Sequence, residues 1–241
     1  ICEAAAEALR SGHTRYGPAA GEPALREAIA AKLSRENQVA TRTEQVLVTN
    51  GGKQALYNLF QVLLGPGDEL LLPSPYWLSY PEIARLAGAS VRMLPSAAAD
   101  GFRLDPNQLE EAISPASKLL ALNSPSNPTG GLDDLKYAAN WGRKNNVPIF
   151  SDECYTEFIW ATPAQSILQH GLEGVIAVHS LSKRSNLAGL RVGFYAGDAE
   201  IVEYLQEVRK HAGFMLPGPA QAAGVAALDD DEHVRVQRDR Y

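Results

Sequence analysis

The sequence predicts an α/β protein: a three-layer α/β/α arrangement with helices on both faces of a mostly parallel, seven-stranded sheet. Three observations predict it. Apolar runs of strand length alternate with helical segments of about 10–15 residues. Polar clusters close the strands, as loops at a sheet edge do. No internal repeat or low-complexity linker interrupts the alternation.

Taken in chain order, "GEPALREAIAAKLSRENQ" (21–38) sets Leu25, Ile29 and Leu33 four apart, the stripe of an amphipathic helix. "QVLVTN" (45–50) is a β-type run. "GGKQALYNLFQVLL" opens on glycines and continues as a helix burying Ala55, Leu56, Leu59 and Leu63. "PGDELLLPSP" is a turn and a second strand, "YPEIARLAGA" a short helix ending at Gly88, and "SVRMLP" a third strand. "DPNQLEEAI" reads as a helix with Asp105 as its cap. "SKLLALNSP" is a strand that breaks into the loop "SPSNPTGG". The second half repeats the logic: helix "LDDLKYAANWGRKNN", strands "VPIFSDECY", "GVIAVHSLS" and "RVGFYAGD", and helix "AEIVEYLQEVRKHAG". Domain limits follow: an N-terminal arm over 1–20, one large domain over 21–228, and over 229–241 the start of a helix leading elsewhere. The first residue is Ile1 and the last, Tyr241, falls in a charged helix-like stretch, so both ends read as cuts in a longer polypeptide.

At 241 residues the chain can bury a substantial core. A formal net charge of −6 argues against a protein that coats nucleic acid or an anionic membrane, so the local basic cluster Lys183, Arg184 and Arg191 points to a small ligand. No apolar run approaches a membrane span of about 18 residues, and "ICEAAAEALRSGH" has acidic residues where a signal peptide needs basic ones. Cys2 and Cys154 form no disulfide framework and no C-x-x-C pair, which fits a reducing cytoplasm.

Ligands of such sheets bind beyond the carboxyl ends of the strands. The polar residues expected there are Asn50–Lys53, Ser74–Trp77, Asn123–Gly130, Asp152–Tyr155 and Ser180–Lys183. "TNGGKQAL" offers free N–H groups at a helix start, suited to a phosphate, though glycines also simply ease a strand into a helix. It is no P-loop, since Lys53 is followed by Gln54 and lacks the earlier glycine; no G-x-G-x-x-G or G-x-S-x-G occurs. Asp152 is either a cap or a carboxylate facing a buried cation. Trp77 is either core or a stacking surface. His179 and Cys154 read as packing residues, and no metal-ligating set is visible.

In order, however, these residues form a pattern. "YGPAAGEPALREAIA", "TNGGKQAL", "PSPYWLSYPE", "NSPSNPTG", "SDECY" and "SLSKRSNLAGLRVGF" resemble the class I/II aminotransferases, fold-type I pyridoxal 5'-phosphate (PLP) enzymes, over nearly the whole chain. The spacings also fit: 25 residues from Asn127 to Asp152, 31 on to Lys183 and 8 more to Arg191.

The resemblance implies the PLP-binding large domain of that family, with roles for eleven residues. Lys183 would be the lysine that forms a Schiff base with PLP and shuttles a proton. Asp152 would pair with the pyridine nitrogen, and Asn127 and Tyr155 would hydrogen-bond the phenolic oxygen; with Lys183, Asp152 and Tyr155 form the expected catalytic set. Ser180, Ser182, Arg191 and the main chain of Gly52 and Lys53 would hold the phosphate. Trp77 would stack on the ring. Tyr16 would reach the phosphate of a neighbouring subunit, which implies a homodimer.

Within the family, residues 150–241 look closest to N-succinyldiaminopimelate aminotransferases of lysine biosynthesis, and residues 46–88 to aspartate-type enzymes. The longer stretch favours N-succinyl-diaminopimelate, with glutamate as donor; aspartate-type transfer is the alternative. No part of residues 1–241 is assigned to the family's small C-terminal domain, which carries an arginine for the substrate α-carboxylate, so the chain alone is expected to be a poor catalyst. Two rivals share the site: the PLP-binding sensor domain of a transcription regulator, and a β-eliminating or decarboxylating enzyme.

Overall fold

Helix and strand signals along the chain become ten helices and one seven-stranded sheet in the computed structural model, which describes residues 1–241. In chain order they are α1 (Cys2–Arg10), α2 (Pro23–Asn37), β1 (Val46–Asn50), α3 (Gly52–Leu63), β2 (Glu69–Ser74), α4 (Ser79–Leu86), β3 (Ser90–Pro95), α5 (Pro106–Ala112), β4 (Ser117–Asn123), α6 (Leu135–Asn145), β5 (Ile149–Asp152), β6 (Val175–Ser180), α7 (Leu181–Arg184), β7 (Val192–Gly197), α8 (Ala199–Ala212), α9 (Gly218–Leu228) and α10 (Glu232–Arg240).

Local chemistry sets the helix limits. The Asp105 side chain accepts the Asn107 N–H at 2.9 Å, as its expected cap role requires. Asp134 caps α6 and Asp198 caps α8 in the same way. Gln38 and Asn146 end α2 and α6 in the left-handed region, at φ 55° each.

The strand order is β1-β7-β6-β5-β4-β2-β3. Neighbours from β6 through β3 pair in parallel, whereas β7 is antiparallel to both β6 and β1. Six strands therefore share one direction and β7 runs against them. Successive strand residues feed opposite layers: Val46, Leu120, Ile149 and Ala177 join the core under α2, α6 and α9, while Leu47, Ala121, Phe150 and Ile176 join the core under α3, α4 and α8. The stripe Leu25, Ile29 and Leu33 is fully buried.

Three helices lie outside the expected elements: α1, α9 and the single turn α7, which ends the run expected as a strand through Ser182. Residues 2–10 of the expected arm form α1, which packs on α9. α9 itself, "GPAQAAGVAAL", is small and apolar on every side because α1 and α2 both cover it. No helix is long and apolar enough to cross a membrane.

Candidate functional site

Sheet register assembles the site. Asn123 pairs with Asp152 across β4 and β5, Asp152 with Val178, and Ser180 with Gly193, so β4 and β5 end side by side and β6 runs two residues further to Ser180 at the same edge. Because β7 runs the other way, its start lies at the same edge, and Arg191 joins that edge from in front of a strand.

A cleft of about 230 Å³ opens over this edge. It is lined by Gly52, Lys53, Trp77, Asn127, Asp152, Tyr155, Ser180, Ser182, Lys183 and Arg191. The eleventh sequence candidate, Tyr16, is not among the lining residues and is 97% exposed. Tyr80, Asn123, Cys154 and Ala188 complete the wall. Of these, Tyr80 lies in the helix expected over "YPEIARLAGA", but nothing in the sequence marks it as a partner of Asp152.

One end of the cleft is built from main chain and cations. The first N–H groups of α3 have no acceptor inside the helix, and its dipole adds positive potential there. Gly51 takes φ 80°, and a Cβ on it would strike the Arg191 guanidinium. That guanidinium donates to the carbonyls of Ala188 (2.8 Å) and Asn50 (3.2 Å), which fixes it against the loop. Ser180 caps α7 by accepting the Ser182 N–H at 3.1 Å, and its hydroxyl donates to Ser182 Oγ at 2.8 Å. A Cβ on Gly193 would sit 2.7 Å from the Gly51 carbonyl carbon, so β7 can press this close only with glycine there.

The opposite end is built from buried side chains. Asp152 is buried, and its carboxylate accepts the Tyr80 hydroxyl at 2.7 Å and the Cys154 N–H at 3.1 Å. Both partners are neutral. Burial therefore pushes the Asp152 carboxyl above its ordinary range, despite these hydrogen bonds and the nearby His179. Burial, then the charge of Asp152, likewise raises the Tyr80 phenol. Asn127 Nδ2 donates to the Tyr155 hydroxyl at 3.4 Å, and the Asn127 N–H donates to Asn123 Oδ1 at 2.6 Å. Trp77 meets Tyr80 edge-on at 5.6 Å, and Lys53 Nζ lies 4.8 Å from its ring centre. His179 packs as expected, stacked 5.0 Å from Phe194, with Nε2 3.2 Å from Glu153 Oε2.

The cleft thus attracts an anion at one end and a cation at the other, with Lys183 and an aromatic plate on its wall. On this α/β/α fold the arrangement suits a small ligand with an anionic group at one end and a cationic one at the other. The family of class I and II aminotransferases matches residues 1–241. An aspartate/prephenate aminotransferase of Thermus thermophilus is 38% identical over 238 residues, 98% of this chain and 62% of that protein. A probable aminotransferase of Mycobacterium tuberculosis is 44% identical over 244 residues, 97% of this chain and 56% of that protein. The solved structure of Thermus thermophilus aspartate aminotransferase with maleate superposes with a TM-score of 0.94 at 37% identity, covering 99% of this chain and 63% of that one.

The chain belongs to the class I and II aminotransferase family, and it spans about three fifths of the length of these relatives. Membership implies a PLP site. The cleft fits that group: a buried carboxylate meets only neutral hydrogen-bond partners at one end, and a helix start beside Arg191 suits a phosphate at the other. The aspartate-type likeness agrees with the reading of residues 46–88. The N-succinyldiaminopimelate likeness of residues 150–241 gains no support from these relatives.

Proposed function

We propose that this chain is the cofactor-binding part of a PLP-dependent aminotransferase that moves an amino group from an amino acid to a 2-oxo acid. One observation carries the reading: ten residues, scattered from Gly52 to Arg191 in the sequence, line a single cleft.

The residues divide the work. The start of α3, Ser180, Ser182 and Arg191 would hold the phosphate, Arg191 through its planar fork. Asp152 would pair with the protonated pyridine nitrogen, which would turn a costly buried carboxylate into half of an ion pair. Asn127 and Tyr155 would hydrogen-bond the phenolic oxygen, and Trp77 would stack on the ring. Lys183 supplies the amine that holds the cofactor, and its Nζ then takes and returns the proton at the substrate Cα. When bound, the cofactor supplies the electron sink that makes that proton acidic.

For the substrate, the aspartate/prephenate relatives, one of them named for glutamate as well, support aspartate or glutamate rather than N-succinyl-diaminopimelate. Exposed Tyr16 suits a homodimer in which it completes the neighbour's phosphate site. Two free cysteines suit a reducing compartment such as the cytoplasm.

The test is absorption on titration with PLP, then borohydride reduction and peptide mapping. A visible band fixed on Lys183 is the expected result; label scattered over surface lysines sinks the reading. Mixing the loaded protein with aspartate, glutamate or N-succinyl-diaminopimelate then ranks the donors by loss of that band. A faster response to N-succinyl-diaminopimelate would reverse the order proposed here.

A further inference from the structure

Lys183 sits on α7, a helix of only four residues. One turn fixes several backbone angles for little hydrogen bonding, so such a helix has no rigidity of its own. Its stiffness must come from what its side chains grip.

The next residue, Arg184, is 4% exposed and is not part of the cleft wall. One terminal nitrogen of its guanidinium donates to the Ala227 carbonyl in α9 at 2.9 Å. The other donates to Glu36 on α2 at 2.7 Å and to Asp231, at the start of α10, at 2.8 Å. Its Nε lies 3.7 Å from Glu157 and has no hydrogen-bond partner. Glu157 follows Tyr155 by two residues and also stands 3.6 Å from buried Lys32. Arg35 forks the Asp231 carboxylate at 2.8 and 3.0 Å. Three cations and three carboxylates therefore knit α2, α7, α9, α10 and the turn after β5 into one cluster. A residue next to Lys183 and another near Tyr155 both belong to it.

We propose that Arg184 is a positioning residue for Lys183: it ties the one-turn helix to α2, α9 and the start of α10, so that the amine meets the cleft in one pose. The consequence for cofactor capture rests on the function proposed above; the consequence for the helix does not.

Two variants test it. Asp231→Asn removes one anchor from a side chain that is 50% exposed, and so leaves the core intact. Arg184→Lys keeps the charge but loses the fork that reaches several acceptors at once. Amide hydrogen exchange is measured without PLP, alongside the rate of borohydride-fixed label on Lys183. In both variants exchange over residues 181–187 should quicken at least about fivefold while β6 stays protected. The label on Lys183 should form correspondingly more slowly, with the thermal midpoint of Asp231→Asn close to that of the wild type. Exchange within twofold of the wild type in both variants would overturn the proposal, leaving Arg184 a purely structural ion pair. Failure of the wild type to fix PLP on Lys183 would instead sink the cofactor reading, and exchange alone would then decide the role of Arg184.

Discussion

Lys183 and Arg184 are consecutive cations in opposite surroundings. Arg184 belongs to a cluster in which Glu36, Glu157 and Asp231 balance it. Lys183 lines a cleft whose one buried carboxylate, Asp152, is hydrogen-bonded only to neutral groups. Buried charges are ordinarily paired with opposite charges. Where they are, as at Arg184, the residues hold elements of the fold together; where a buried carboxylate meets only neutral donors, as at Asp152, its surroundings suit a cationic ligand.

The largest expected effect breaks the comparison at Lys183 itself. Lys183→Ala should abolish specific fixation of PLP in the cleft, read by peptide mapping, while the urea midpoint stays near that of the wild type. On the other side, Arg184→Ala removes the central cation of that cluster and leaves only Lys32 and Arg35 to face Glu36, Glu157 and Asp231. It should cost about 2–3 kcal/mol of stability in urea unfolding, less than a wholly orphaned buried charge. Loss of cofactor affinity without loss of stability in that variant would count against the division drawn here.

Intermediate effects sharpen it. Arg191→Ala should weaken PLP binding by about 10- to 100-fold in a spectroscopic titration, the loss of a charge-assisted pair. Gly193→Ala would set a Cβ 2.7 Å from the Gly51 main chain. The strain should cost about 1–3 kcal/mol in urea unfolding and loosen phosphate binding together with stability.

The smallest effect is a pH dependence with opposite signs in the two regions. Burial raises the Asp152 carboxyl when folded, so its contribution to stability is full below the ordinary value of 3.8 and lost as pH rises through the raised one. At Asp231 burial works upward, but Arg35 and Arg184 prevail and lower it, so its contribution is present above 3.8 and lost as pH falls through the lowered value. Urea midpoints of the PLP-free protein against pH should show Asp152→Asn flattening the decline above 3.8, and Asp231→Asn flattening the one below it.

The strands and most helices were legible because their signals are local: Leu25, Ile29 and Leu33 share a face whatever surrounds them. The cleft residues were legible as an ordered series resembling one family, since they lie at or just after strand ends, or, for Arg191, just before a strand, at the same sheet edge. Tyr80 was less so, because its bond to Asp152 spans 72 positions and depends on how α4 lies over β5. α9 lacked any period because small apolar residues run all along it, packed by α1, α2 and β7. The reversal of β7 is a matter of pairing, which a run such as "RVGFYAGD" does not encode by itself.

The contact between Gly193 and Gly51 has a consequence for how this scaffold can be altered. The gap between β7 and the start of α3 is set by one backbone resting on another, with no side chain between them to trim or enlarge. Redesign can therefore repaint the Trp77, Asn127 and Tyr155 walls by ordinary substitution, whereas the width of the anion cup can be changed only by moving the main chain.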